Sequence, residues 1–258
     1  MTAVNGETLI EVDQLVTHYG EKLVLDDVSL TVRRGEILVI LGGSGCGKST
    51  LLKHMIGLLK PTSGSIRYSG VDITAMEEDE LSRLQRGMGV AFQSGGLFNS
   101  MTVGENVALP LREYGNVDEE LIEPIVRLKL SMVGLSAAQH MLPSELSGGM
   151  LKRAGLARAL ALDPPAVFFD EPSAGLDPIM ASGLDELILS MRKLLGLTFI
   201  IVTHELESIR KVADRAIMLD LGKVVFTGTV AEAEASAVPR VRQFFERRAD
   251  EFIAQRNV

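Results

Sequence analysis

The octapeptide Gly42-Gly43-Ser44-Gly45-Cys46-Gly47-Lys48-Ser49 fits G-x-x-x-x-G-K-[S/T], follows directly on the apolar run Ile37 to Leu41, and opens the helix-like segment Thr50 to Leu59. A loop of this kind belongs between the carboxyl end of a strand and the amino end of a helix. Its glycines let the backbone curl so that successive N–H groups face inward, and the helix adds the positive end of its dipole at the same point. What such a loop holds is the phosphate chain of a nucleoside triphosphate. Lys48 is spaced to reach the β- and γ-phosphates, and the Ser49 hydroxyl to ligate Mg²⁺.

The rest of the chain is patterned to match. β-rich runs at Thr8 to Val12 and Val24 to Val32 precede the loop, and Ser65 to Tyr68 returns as a strand after the turn Pro61-Thr62-Ser63-Gly64. From about Glu77 to Leu160 the pattern is mostly helical, including Asp118 to Met132. Strand-like runs resume at Ala166 to Phe169, Thr198 to Val202, Ala216 to Leu219 and Lys223 to Thr227, separated by helices such as Ile179 to Leu194. Alternating strands and helices predict an α/β core whose largely parallel sheet is covered on both faces, with a helical insertion at about 94–160.

Composition narrows the partners. The formal charge of −8 disfavours a chain that holds nucleic acid on a broad basic face. Cys46 is the single cysteine, so no intrachain disulfide forms and a reducing compartment is the natural reading. A bulky adduct on its thiol is expected to block nucleotide binding. The amino terminus lacks the layout of a secretory signal, and no apolar run approaches the ~20 residues of a spanning helix. A soluble chain is expected, reaching a membrane only through a partner or an interfacial segment.

A second apolar run, Ala166-Val167-Phe168-Phe169, ends in Asp170-Glu171, which puts one carboxylate near Mg²⁺ and the next near the γ-phosphate. With GGSGCGKST (42–50), LSGGM (146–150), VFFDEP (167–172), SAGLDP (173–178) and VTHE (202–205), the chain from about Val12 to Thr229 resembles the nucleotide-binding subunit of ABC transporters. The resemblance implies a phosphate-loop NTPase core with a mostly parallel sheet, an amino-terminal antiparallel β-subdomain and a helical signature subdomain. The cassette spans residues 8–235, followed by a helical tail at 236–258. It further implies ATP and Mg²⁺ as ligands and a homodimer whose two sites are shared. Ser147, Gly148 and Gly149 begin a helix and grip the γ-phosphate held by the other subunit; Asp177 communicates across the dimer. Gln93 touches Mg²⁺ or the attacking water and links to the transmembrane partner, His204 contacts the γ-phosphate, and Tyr19 stacks on adenine. Glu171 is the general base. Met150 departs from the family, many of whose members carry Gln there; contacts at that position are then apolar or absent.

Within the family, Phe92 to Phe98, the methionine of LSGGM, Glu171 to Pro178 and the tail Pro239 to Phe245 resemble the ATPases of phospholipid-trafficking systems that maintain outer-membrane lipid asymmetry. That branch implies an integral permease, a periplasm-facing lipid-binding subunit, a small cytoplasmic regulatory subunit, and a location on the cytoplasmic face of the inner membrane. The tail itself is amphipathic, with Val241, Phe244, Phe245, Ala249, Phe252 and Ile253 on one side and Arg240, Arg242, Arg247, Arg248 and Glu251 mostly on the other. Packing on its own core and docking on the neighbouring subunit are both open. The rival reading is a soluble ABC ATPase that drives a scaffold, as in iron–sulfur cluster assembly.

Overall fold

The computed structural model describes residues 6–93 and 95–248. Its elements in chain order begin with β1 (Thr8–Tyr19), β2 (Lys22–Arg33), β3 (Ile37–Gly42), α1 (Lys48–Met55), β4 (Ser63–Tyr68) and β5 (Val71–Asp72). There follow α2 (Glu78–Gln85), β6 (Met88–Ala91), α3 (Val103–Tyr114), α4 (Glu119–Met132), α5 (Gly148–Ala159) and β7 (Ala166–Asp170). The chain continues through α6 (Pro178–Leu195), β8 (Thr198–Val202), α7 (Leu206–Val212), β9 (Arg215–Asp220), β10 (Lys223–Gly228), α8 (Val230–Glu234) and α9 (Pro239–Phe245).

Two sheets share the fold. The larger has the order β10-β9-β3-β8-β7-β6 and is parallel except for the hairpin β9–β10; the smaller, β2-β1-β4-β5, is antiparallel. Strand β3 is buried along its whole length, and its side chains sort by parity. Ile37, Val39 and Leu41 enter one core with α3 to α6, while Leu38 and Ile40 enter a second core with α1 and the antiparallel sheet. The parallel sheet is therefore covered by helices on one face, and on the other by α1 together with a second sheet.

Two local features differ from the expectations above. The opening hairpin is longer than predicted because Thr17-His18-Tyr19, polar in pattern, stays paired with Leu25, Leu23 and Lys22 around the Gly20 turn. The stretch predicted as mostly helical contains β6, a four-residue strand paired in parallel with β7. Met-Gly-Val-Ala is too short to show a period; it becomes a strand through its neighbour, and Gly89 is needed because a side chain there would lie 2.7 Å from the Ala159 carbonyl. The helical region then runs from α3 to α5, between β6 and β7.

Helix α9 packs on its own chain. Val241 and Phe245 are buried in the core, and Arg240 Nε lies 3.0 Å from Asp220 Oδ1 at the end of β9. Ser94, and Ala249, Glu251, Phe252 and Ile253 of the tail, lie outside the described residues. No helix among the described residues is long and apolar enough to cross a membrane.

Candidate active site

The carboxyl ends of the parallel strands open on a cleft of about 850 Å³. Gly42, Gly43, Ser44, Gly45, Lys48 and Ser49 line it from the glycine loop, and Gln93, Glu171 and His204 from the ends of β6, β7 and β8. These are the positions that the motifs mark in sequence, brought together because parallel strands all point their carboxyl ends the same way.

The loop's shape depends on glycine at two points. Gly42 has φ 147°, and a β-carbon there would sit 2.2 Å from the Leu219 carbonyl. Gly47 caps α1 at φ 105° without a side-chain hydrogen bond, so the first N–H groups of the helix have no side-chain acceptor. Lys48 Nζ donates to the carbonyls of Gly42 and Gly43 at 3.0 and 2.9 Å, which folds the buried ammonium back along the loop. Cys46 is buried, its thiol turned toward Gly42 and its pKa pushed up by burial. A buried, protonated thiol is a poor nucleophile. The adduct expected to block nucleotide binding therefore requires the loop to open first.

Asp170 ends β7, and the Ser49 hydroxyl donates to its Oδ1 at 3.4 Å. Burial raises the Asp170 pKa; Glu171 adds to the rise, while Ser49, Lys48 and Lys53 oppose it. A carboxyl whose native pKa lies above the ordinary 3.8 binds its proton more tightly folded than unfolded. Its charge therefore opposes folding above the native value, and this cost vanishes below the unfolded one. Asp170→Asn is expected to raise the melting temperature at neutral pH, with the gain fading as pH falls to about 4, and to abolish Mg²⁺-dependent nucleotide binding. Thermal melts across that range, with and without Mg²⁺–ATP, check both outcomes.

Glu171 is held in the left-handed region at φ 48°, a strained conformation for a side chain of this size. Its N–H donates to the Val202 carbonyl at 2.8 Å, and His204 Nδ1 lies 2.9 Å from its Oε1. An ionised carboxylate only accepts, so the imidazole Nδ1 is the donor; Nε2 lies 3.6 Å from Glu205 Oε1. Glu171 Oε2 is buried and has no hydrogen-bond partner among the described residues.

The other sequence-predicted residues lie off this cleft. Tyr19 is 50 % exposed at the hairpin end, tied to α1 by the neighbouring Thr17, whose hydroxyl lies 2.8 Å from His54 Nε2. Thr50 belongs to the first turn of α1 without lining the cleft. Ser147 caps α5, accepting from the Met150 N–H at 3.3 Å, and is exposed together with Gly148. Gly149 is buried against Met180, and the Met150 side chain packs against the helical core, so its contacts are apolar. Asp177 caps α6 by accepting from the N–H groups of Ile179 and Met180 at 2.9 and 3.0 Å. Four cleft residues lie outside the motifs: Leu206 and Glu207, at the start of α7 just past the histidine, and Phe244 and Arg247, brought by α9 to the side of the glycine loop. The amphipathic tail was visible in sequence, but periodicity says nothing about which loop a helix returns to.

A glycine loop at the centre of a parallel sheet, with an acidic pair and a histidine at neighbouring strand ends, defines a phosphate-loop ATPase of the cassette type. The ABC transporter family model matches residues 25–174. The intermembrane phospholipid transport system ATP-binding protein MlaF of Haemophilus influenzae is 43% identical over 245 residues, covering 95% of this chain and 93% of that protein. The probable ribonucleotide transport ATP-binding protein mkl of Mycobacterium tuberculosis is 44% identical over 239 residues, 93% of this chain and 67% of that one. Among solved structures, the dimeric post-hydrolysis state of the ATP-binding cassette MJ0796 bound to ADP and Pi has TM-score 0.79 and 30% identity, covering 86% of this chain and 98% of that one. The chain belongs to the ABC transporter family, and it is an ATP-binding, ATP-hydrolysing member.

Proposed function

We propose that this chain is the ATP-hydrolysing subunit of a membrane transporter that moves phospholipid between membranes, and that it works as a homodimer under a permease. Residues 8–235 are the ATP-binding unit, with the helical part at about 94–160, and 236–258 follow it in sequence as a tail. The observation that carries the catalytic reading is the buried, unpartnered Glu171 Oε2 beside the phosphate-binding lysine and loop.

Glu171 Oε2 accepts the proton of a water that attacks the γ-phosphorus in line, as the bond to the ADP oxygen breaks and phosphate is released. Lys48 and the backbone N–H groups of Gly42 to Thr50 hold the β- and γ-phosphates. His204 reaches the terminal phosphate through Nε2, its Nδ1 being engaged by Glu171, and Tyr19 stacks on the adenine ring. Ser49, Asp170 and Gln93 fit Mg²⁺: one hydroxyl, one carboxylate and one amide leave most positions to phosphate oxygens and water, as this small ion prefers. When bound, Mg²⁺ draws off negative charge from the phosphates. No group of three His, Cys, Asp or Glu residues among those described forms a cage of its own, in keeping with an ion that arrives with the nucleotide.

Ser147, Gly148, Gly149 and Asp177 complete the site of a second copy. The exposure of Ser147, Gly148 and Asp177 supports this, as does Ile179, which is 83 % exposed two residues beyond Asp177 on a face that has no apolar cover in one copy. A groove of about 360 Å³ beside Gln93, rimmed by the exposed Phe92 and Tyr114 and by Arg86 and Arg158, supports docking of a permease on the cytoplasmic side of the inner membrane. A periplasm-facing lipid-binding subunit and a small cytoplasmic regulatory subunit belong to the same reading.

Phospholipid as cargo rests on the MlaF relatives, while the similarly related mkl protein is named for ribonucleotide transport. Affinity isolation of the tagged chain from mildly solubilised membranes, with identification of co-purifying proteins and bound lipid, separates the cases. A permease, a lipid-binding subunit and phospholipid are the expected result. A soluble scaffold without membrane protein would overturn the transport reading, and a permease without bound lipid would overturn the cargo.

A further inference from the structure

Lys152 stands one turn into α5, five residues after the cap Ser147, and only 6 % of it is exposed. A buried lysine normally has a carboxylate against it, since an unpaired ammonium is costly to desolvate. The polar contacts of Lys152 are to main chain instead. Its Nζ donates to the carbonyl of Gln93 and, at 3.2 Å, to the carbonyl of Glu171. Burial lowers the basicity of this ammonium, and the negative charges of Glu171 and Asp170 work against that shift.

The same face of α5 grips the loop after β6 over about two turns. Gly155 lets the helix approach Gly95 so closely that a β-carbon would lie 2.5 Å from the Gly95 carbonyl. Arg158 donates to the Gly96 carbonyl and stacks its guanidinium 4.9 Å over the Phe98 ring. Residues 152, 155 and 158 recur at helical spacing, so α5 and this loop are clamped together. Of the three, Lys152 alone reaches on to the backbone of Glu171, the residue in the strained left-handed conformation.

Building on the catalytic reading above, we propose that Lys152 is a positioning residue: it ties the backbone of the general base and of Gln93 to the helix whose exposed amino terminus meets the second copy's nucleotide. Displacement of α5 at the dimer face then reaches Glu171 through one ammonium group and two carbonyls. The carboxylate is aligned only when α5 is seated.

The test is Lys152→Met, with Lys152→Arg as the conservative variant, assayed for steady-state phosphate release, ATP affinity and thermal melting. Misplacing a reacting group by about 1 Å costs up to about 10²-fold, so Lys152→Met is expected to lower kcat about 10–100-fold. The KM for ATP is expected to stay within about threefold, and Lys152→Arg to recover most of the rate, because it keeps donors for both carbonyls. A merely structural role would lower kcat, ATP affinity and melting temperature together without rescue by arginine; that pattern overturns the proposal, as does a kcat within about twofold of the parent chain. Should Lys152→Met fail to fold, Lys152→Gln, which keeps a donor on a shorter chain, is read by the same kcat and KM split. Glu171→Gln in the same assay separates the two ideas. If it turns over like the parent chain, the catalytic reading fails; if it is slow while Lys152→Met is normal, only the role of Lys152 fails.

Discussion

Glu171→Gln is expected to slow ATP turnover by about 10²–10⁴-fold while leaving ATP binding intact, because it removes the proton acceptor and little else. The amide is nearly isosteric, and its carbonyl oxygen can still accept from His204 Nδ1, which lies 2.9 Å from Glu171 Oε1. The main-chain bond from the Glu171 N–H to the Val202 carbonyl, at 2.8 Å, is untouched. The left-handed backbone at this position is therefore expected to persist, and the loss falls on the water that Oε2 would have accepted from. Phosphate release together with the equilibrium affinity for ATP checks the result. Turnover like that of the parent chain would remove Glu171 from the chemistry and assign the proton of the attacking water to another acceptor.

Lys48→Ala attacks the other half of the site. Its ammonium lies 3.0 Å from the Gly42 carbonyl and 2.9 Å from that of Gly43, inside the loop that would wrap the phosphates. Hydrogen bonds to a charged group are each worth about 1.5–3 kcal/mol, so losing the contacts to the β- and γ-phosphates is expected to weaken ATP binding by about 10²-fold or more. Lys48→Arg is not expected to restore it: the longer planar guanidinium does not reproduce a compact point charge within a closely wound loop. Titration with a fluorescent ATP analogue measures the loss, and thermal melts confirm that the variant is folded. Affinity within about threefold of the parent chain would mean that the loop holds the phosphates through its N–H groups alone.

Much of this site is legible in the sequence. The glycine loop, the acid pair after Phe169 and the histidine after Val202 each lie at the end of an apolar run. A parallel sheet gathers such ends into one cleft, which is where Lys48, Ser49, Glu171 and His204 are found. What could not be read was decided by contacts distant in sequence. Strand β6 exists because β7 lies beside it, and Gly89 matters through its closeness to the Ala159 carbonyl. The second face of the sheet is covered partly by β1, β2 and β4, a packing that alternation alone does not specify. Phe244 and Arg247 reach the cleft because α9 is anchored by Val241, Phe245 and the Arg240–Asp220 pair, and a helical period carries no address for that docking. In the sequence Lys152 is one polar residue within a stretch of helical pattern. Its burial and its two carbonyl partners emerge only once β6, β7 and α5 are assembled.

Under the proposed function, each ATP is enclosed by the cleft of one copy and the exposed Ser147 end of another. The most direct measurement is the mass in solution of Glu171→Gln by analytical ultracentrifugation, with Mg²⁺–ATP and with Mg²⁺–ADP, alone and combined with Ser147→Arg. A dimer with ATP, a monomer with ADP, and a monomer with ATP once Ser147→Arg is added, while that doubly substituted chain still binds ATP, is the expected result. A chain that binds ATP tightly and stays monomeric, or that dimerises regardless of Ser147, would contradict it.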